Sequence, residues 1–307
     1  ILGWDERLTI LVMALVTVAY TMVGGITAVI WTDVVQMLMV FGGIAVALLA
    51  LFANLPEGVG FGDAVYIGGI QDMWRSVDLS WDPTNTYTLW SGLFGGFFLF
   101  LAYFGTDQSQ VQRYLTASSL KDSRLSLIFT AFLKVPMQVL ILSIGVLLFV
   151  FYHFEEPPLV FSPAEVAAVE ESDRAGEYRA LEEEKSRIHS QRMDATLGLL
   201  EDRDRGGDVA SRRTAIEEYD SRLQDVRSQA KELVSEVRGT ASNDVNSVFP
   251  TYIINFIPTG LLGLLIAVIF AAAMSSLDSE ITALSSATVM DFYRRWFRPD
   301  ATEAHYL

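Results

Sequence analysis

Five stretches of this chain are each long and apolar enough to cross a bilayer, and that leaves few folds open to it. They run 8–25, 34–55, 89–105, 125–151 and 253–274. A spanning helix needs about 20 apolar residues. The same stretches could be buried helices of a large soluble protein. Against that, 139–151 carries no charge and its neighbours are equally apolar. The chain is therefore expected to be an all-α membrane protein. The fifth stretch runs on as a more polar helix to about Tyr293. The first residue is not Met and no secretory leader is evident, so the chain reads as part of a longer one.

Composition matters because it conflicts with this picture. Hydrophobic residues make up 51% of the chain, yet its net charge is −15. Most of the conflict lies in residues 155–245, which hold 22 of the 37 acidic residues and 13 of the 22 basic ones. There Ile216, Tyr219, Leu223, Val226, Ala230, Leu233 and Val237 follow a 3-4-3-4 spacing, the seam of a coiled coil. Tyr178, Leu181, Ile188 and Ala195 share a looser face, and Gly206-Gly207 separates the two halves. The pattern predicts two antiparallel helices standing outside the membrane; one long solvated helix or disorder is the alternative. His189 sits alone on a charged face. Three segments follow: 1–154, 155–245 and 246–307.

Loop charge gives the orientation. Arg113, Lys121 and Arg124 lie in 106–124, and Arg294, Arg295 and Arg298 follow the last span, whereas 56–88 is acidic. By the positive-inside rule the first two are cytoplasmic, so 56–88 and 155–245 are extracytoplasmic. The expected location is the cell (inner) membrane, multi-pass. Absence of cysteine excludes thiolate metal sites, and three histidines leave little for zinc. An acidic chain without a basic stripe argues against nucleic acid.

Four features could carry chemistry. Ala272, Ser275, Ser276 and Ser279 share one face of the last helix. Hydroxyls and a freed carbonyl suit a small hard cation such as Na⁺, but small residues are also ordinary helix-packing positions. Lys134 lies within span four beside Pro136. It is either functional or snorkels to the inner face. Asp33, expected at the start of span two after a 24–33 turn, is a helix cap or a second cation ligand. Asp278 and Glu280 lie near the inner face. The sequence holds no catalytic constellation, and no enzyme activity is expected.

Together these segments resemble the sodium:solute symporter family of sodium-coupled sugar, proline, sialic acid, iodide and monocarboxylate transporters. The resemblance rests on four blocks: 20–36 (YTMVGGITAVIWTDVVQ), 105–115 (GTDQSQVQRYL), 131–134 (AFLK), and 270–293 with Ser275-Ser276. It covers the chain apart from 155–245. It implies part of a LeuT-type inverted-repeat core, the five spans resembling the fourth to eighth core helices, with the extramembrane hairpin as an insertion. It implies a main Na⁺ site at the Ala272 carbonyl, Ser275 and Ser276. A second site would use Asp33, Ser275, Asp278 and Ser279, although many members carry Ser or Thr at 278. Lys134 matches a solute-contacting lysine of sugar-transporting members, and Tyr103 the aromatic gate beside their solute site. Phe100 stands where those members have Asn, and Phe104 where they have Trp, which weakens a sugar assignment.

The expected function is Na⁺-coupled import of a small polar organic solute, with the solute, Na⁺ and the lipid bilayer as partners. The alternatives are a transporter-like sensory module of a signalling protein, or a membrane docking or anchor protein. In the latter the hairpin would bind a protein partner or self-associate.

Overall fold

The computed structural model describes residues 5–74 and 77–306, which contain helices and no strand. The chain divides into two compact units. One comprises 2–46, 76–141 and 263–307; the other comprises 47–75 and 142–262.

In the first unit, helix α1 (Glu6–Ala53) enters with Gly25 as its one non-helical residue, at φ 55° and ψ −153°. The expected 24–33 turn is therefore a break at a single residue. Glycine alone takes this backbone conformation without a Cβ penalty. Asp33 consequently lies inside a helix and is not its cap. Helix α3 (Leu89–Gly105) starts at Thr88, whose hydroxyl accepts from the Ser91 N–H. After a 59° bend comes α4 (Gln108–Leu115), capped by Asp107, whose carboxylate accepts from the Ser109 N–H. Helix α5 (Leu120–Phe154) passes through Pro136 without ending.

Span five differs from expectation. Its residues divide between α9 (Val248–Phe256) and α10 (Thr259–Ala287), because Pro258 forces Ile257 into an extended conformation with ψ 132°. Helix α10 then continues in π-helical turns over Thr288–Phe297, and α11 (Glu303–Tyr306) follows. By length and composition α1, α5 and α10 with its extension could each cross a membrane, and the bent α3–α4 pair could form a fourth span.

The second unit is built on α2 (Phe61–Ile70), α6 (Pro163–Glu170), α7 (Ala175–Arg205) and α8 (Val209–Arg238). Helices α7 and α8 run antiparallel. Arg212 pairs with Asp202 at 3.0 Å near the turn, and Arg174 with Glu236 at 2.7 Å at the far end. Gly206 makes the turn in the left-handed region, at φ 73°. Tyr178, Ile188, Val226, Ala230, Leu233 and Val234 form the main core with Leu159, Val160 and Val169. Ala195, Leu199 and Ile216 form a second cluster toward the turn. The 3-4-3-4 positions of α8 are thus its packed face. Asp244, fully buried, accepts from Lys231 (2.7 Å), the Phe161 N–H (2.8 Å) and Arg227 (2.9 Å).

His189 corrects the sequence reading: it is buried, and its Nε2 lies 3.2 Å from the Tyr152 carbonyl. Arg192 Nη2 donates to the same oxygen at 2.6 Å, and its Nη1 pairs with Asp220 at 2.9 Å. Burial, together with the Arg192 charge, holds the His189 imidazole below its ordinary 6.5. The unfolded side chain takes up a proton as pH falls through about 6.5, while the folded one resists. Stability is therefore full above that pH and declines below it, by at most about 1.4 kcal/mol per pH unit. A thermal-unfolding series from pH 7.5 to 5 is expected to show this decline. His189→Gln keeps a donor for Tyr152 and is expected to make the slope shallower.

Candidate cation and solute site

The site is assembled within the first unit from α1, α3, α4, α5 and α10. Its centre is the hydroxyl face of α10. Ser275 Oγ donates to Asp33 Oδ1 at 2.6 Å, joining two helices whose residues are 242 apart in sequence. One turn on, Ser279 Oγ stands 3.0 Å from the Ser275 carbonyl oxygen and 3.1 Å from Asp278 Oδ1. Asp278 is fully buried and accepts from the Tyr20 hydroxyl at 2.9 Å. Close helix packing makes these reaches short: a Cβ on Gly43 of α1 would lie 2.8 Å from Val268 of α10.

The α3–α4 bend supplies a residue that sequence reasoning missed as a site member. Arg113 Nη2 lies 3.1 Å from Asp33 Oδ2 and also donates to Ser279 Oγ. The neighbouring Gln112 donates to the Ser279 carbonyl at 3.3 Å. Tyr20 was missed as well. Both lie inside the quoted blocks, but nothing in their local spacing tells which helix they reach.

A cavity of about 720 Å³ opens beside this network, lined among others by Asp33, Tyr103, Arg113, Lys134, Ser275 and Ser276. Lys134 Nζ lies 5.5 Å from the Tyr103 ring centroid and 5.8 Å from that of Phe104, within cation–π range. It therefore has aromatic partners at the cavity. Lys134 is 14 residues into α5, about 21 Å along it. Ser279 and Glu280 complete the polar wall, while Asp278 sits behind Ser279 and does not line the cavity. Nor do Ala272 and Phe100, which are both exposed.

The donor set is all oxygen: the carboxylates of Asp33 and Glu280 and the hydroxyls of Ser275, Ser276 and Ser279 on the cavity wall, with the Asp278 carboxylate behind. This is the chemistry a hard monovalent cation prefers, and it contains no soft ligand. Arg113 shares those oxygens, so a bound cation and the guanidinium draw on the same negative charge.

The profile of the sodium:solute symporter family matches residues 1–177 and 228–307. The chain belongs to this family. It is a family of transporters, not of enzymes. Similar to this chain is the sodium-dependent multivitamin transporter of Oryctolagus cuniculus, 26% identical over 98% of the chain and 35% of that protein. The sodium/sialic acid symporter SiaT of Proteus mirabilis is 23% identical over 96% of the chain and 43% of its own length. A solved structure of a Na⁺-coupled sialic acid symporter, in a substrate-bound outward-open state, superposes with a TM-score of 0.62. At 22% identity it covers 99% of this chain and 47% of that one, and it shares the all-helical fold. The chain thus spans less than half the length of these relatives. The family profile leaves 178–227, most of α7 and part of α8, unmatched.

Proposed function

We propose that this chain is the part of a sodium-coupled symporter that carries one wall of its cation and solute sites. Downhill Na⁺ entry drives import of a small polar organic solute by alternating access. The five apolar stretches correspond to the fourth to eighth helices of a LeuT-type core. The observation that carries the reading is the Asp33–Ser275 hydrogen bond, which joins α1 and α10 at the cavity and assembles the carboxylate and hydroxyl that a cation site needs. A second site for Na⁺ takes Asp33, Ser275 and Ser279, with Asp278 adding negative charge from behind. The main site takes the Ala272 carbonyl and the Ser275 and Ser276 hydroxyls; a partner helix supplies its remaining ligands.

Lys134 and Tyr103 face the solute. An ammonium held over aromatic rings offers a cation and three donors to a polar or anionic group. Phe100, outside the cavity lining, makes no solute contact in this arrangement. Na⁺ binding favours the outward-open state in which solute binds, and inward opening releases both. Helices α6–α8 stand on the extracytoplasmic side, and the Arg-rich end of α10 faces the cytoplasm.

The test is Na⁺-dependent uptake by the full-length protein across sugars, amino acids, carboxylates and sialic acid. Ser276→Ala removes one hydroxyl ligand and is expected to raise the Na⁺ concentration for half-maximal uptake several-fold at unchanged expression. Uptake that ignores Na⁺ for every solute would overturn the reading.

A further inference from the structure

The second unit holds a cavity that the proposed transport chemistry does not use. It has a volume of about 530 Å³ and lies where the last turns of α5 meet the 157–161 segment, α7 and α8. One side is apolar, formed by Leu148, Phe149, Leu159 and Leu223. The other side carries three cations, Lys185, Arg192 and Arg227, against Asp220 as the one carboxylate among the lining residues.

Each of those cations has one carboxylate partner, and Arg227 shares its own, Asp244, with Lys231. Lys185 donates to the Pro157 carbonyl at 2.6 Å and pairs with Glu156 at 2.9 Å. Arg227 pairs with Asp244 and lies 4.9 Å from the Phe161 ring. Arg192, buried, spends two nitrogens on Asp220 and the Tyr152 carbonyl, while its Nε has no partner. The Tyr152 hydroxyl, on the same wall, is buried and equally without a partner. Buried donors left unmet are costly and mark a place where an acceptor is missing. An apolar wall facing fixed cations, with the Arg192 Nε and the Tyr152 hydroxyl unmet, is complementary to one kind of molecule.

We propose that this cavity binds an amphiphile with an anionic head, a phosphate or carboxylate, on an apolar body. The head lies against Arg192, Lys185 and the Tyr152 hydroxyl, and the tail lies along Leu148, Phe149 and Leu159. The same chemistry is offered by an anionic membrane lipid and by a water-borne alkyl anion.

Two positions on the lining allow a test that spares the buried network. Gln224 is exposed on α8, so Gln224→Glu adds a negative charge and Gln224→Lys a positive one. Gly145 is helical and a Cβ there meets nothing within 4 Å, so Gly145→Leu has room to branch into the cavity. The full-length protein, in a neutral alkyl-glycoside detergent, is titrated with dodecyl phosphate, with inorganic phosphate, and with phosphatidic acid in neutral-lipid nanodiscs. Binding is read by native mass spectrometry.

Dodecyl phosphate is expected to bind one to one. Gln224→Glu and Gly145→Leu are each expected to weaken it about tenfold, and Gln224→Lys to leave it as tight or tighter. Opposite signs at one position would not arise from a merely structural role. Phosphatidic acid bound with the same variant pattern identifies a lipid as the source; dodecyl phosphate alone identifies a soluble one. Inorganic phosphate binding as tightly as dodecyl phosphate would overturn the proposal, as would indifference to all three variants. Thermal unfolding of each variant confirms that it is folded.

Discussion

Asp33→Asn in the full-length protein is expected to raise the Na⁺ concentration for half-maximal uptake about tenfold or more. The amide keeps an oxygen for the Ser275 hydroxyl, which now donates to Asp33 at 2.6 Å, so the link between α1 and α10 survives. What disappears is the negative charge. Two unit charges about 4 Å apart interact by about 4 kcal/mol at an effective dielectric near 20, and a tenfold change needs only about 1.4 kcal/mol. A second effect acts in the same direction. Arg113, 3.1 Å from Asp33, would lose its counter-charge and repel an incoming cation. Arg113→Gln is therefore expected to move the Na⁺ titration the opposite way, toward lower concentration. An unchanged titration in both variants would remove Asp33 from the cation site. A shift in the same direction for both would mean that Arg113 holds the site together and does not compete for it.

Asp244→Ala is expected to destabilise the second unit by about 3 kcal/mol, the range found when one member of a buried ion pair is deleted. The carboxylate is fully buried and accepts from Lys231, Arg227 and the Phe161 N–H. Burial alone would raise its pKa. The Lys231 ammonium, the Phe161 N–H and the Arg227 charge outweigh that and hold it below the usual carboxylate value of 3.8. Deletion leaves two cations and one amide without an acceptor, two of them beside the cavity end of Phe161. A drop in the thermal midpoint, with Na⁺-dependent uptake per folded molecule retained, is the expected readout. A change of less than about 1 kcal/mol would show that water replaces the carboxylate.

The readable part of this fold follows from length and periodicity. Apolar runs mark the long helices, although 8–25 and most of 34–55 fall in the one helix α1 and not in two; the 3-4-3-4 residues of α8 mark its packed face because spacing alone puts them there. The breaks were harder to read. Pro258 is visible, yet 253–274 reads as one span, because a proline inside an apolar run is compatible with either a kink or an end. At Gly25 the expected turn is a break at one residue, since Ile26 to Thr32 keep helical geometry and hold no Gly, Pro, Asn or Asp to favour a loop.

Site residues divide the same way. Ser275, Ser279 and Asp33 could be nominated by residue type, and Asp278 only through the family resemblance. Arg113 could not, because its partner is fixed only after α4 folds back from the α3 bend. His189 was misread for a related reason. Lys185, Arg187 and Arg192 around it suggest a solvated face, and the carbonyl that takes it in is 37 residues away.

That carbonyl belongs to Tyr152, in the last turn of α5, where a helix has no internal donors left. Both His189 and Arg192 of α7 reach it. A stretch that the family profile leaves unmatched thus finishes a helix that the profile does match. Excising it would strip a membrane helix of its end group and open the Phe161 wall to water. A family member lacking the stretch must satisfy that oxygen by some other donor. In this chain the unmatched stretch and the end of α5 share their hydrogen bonds.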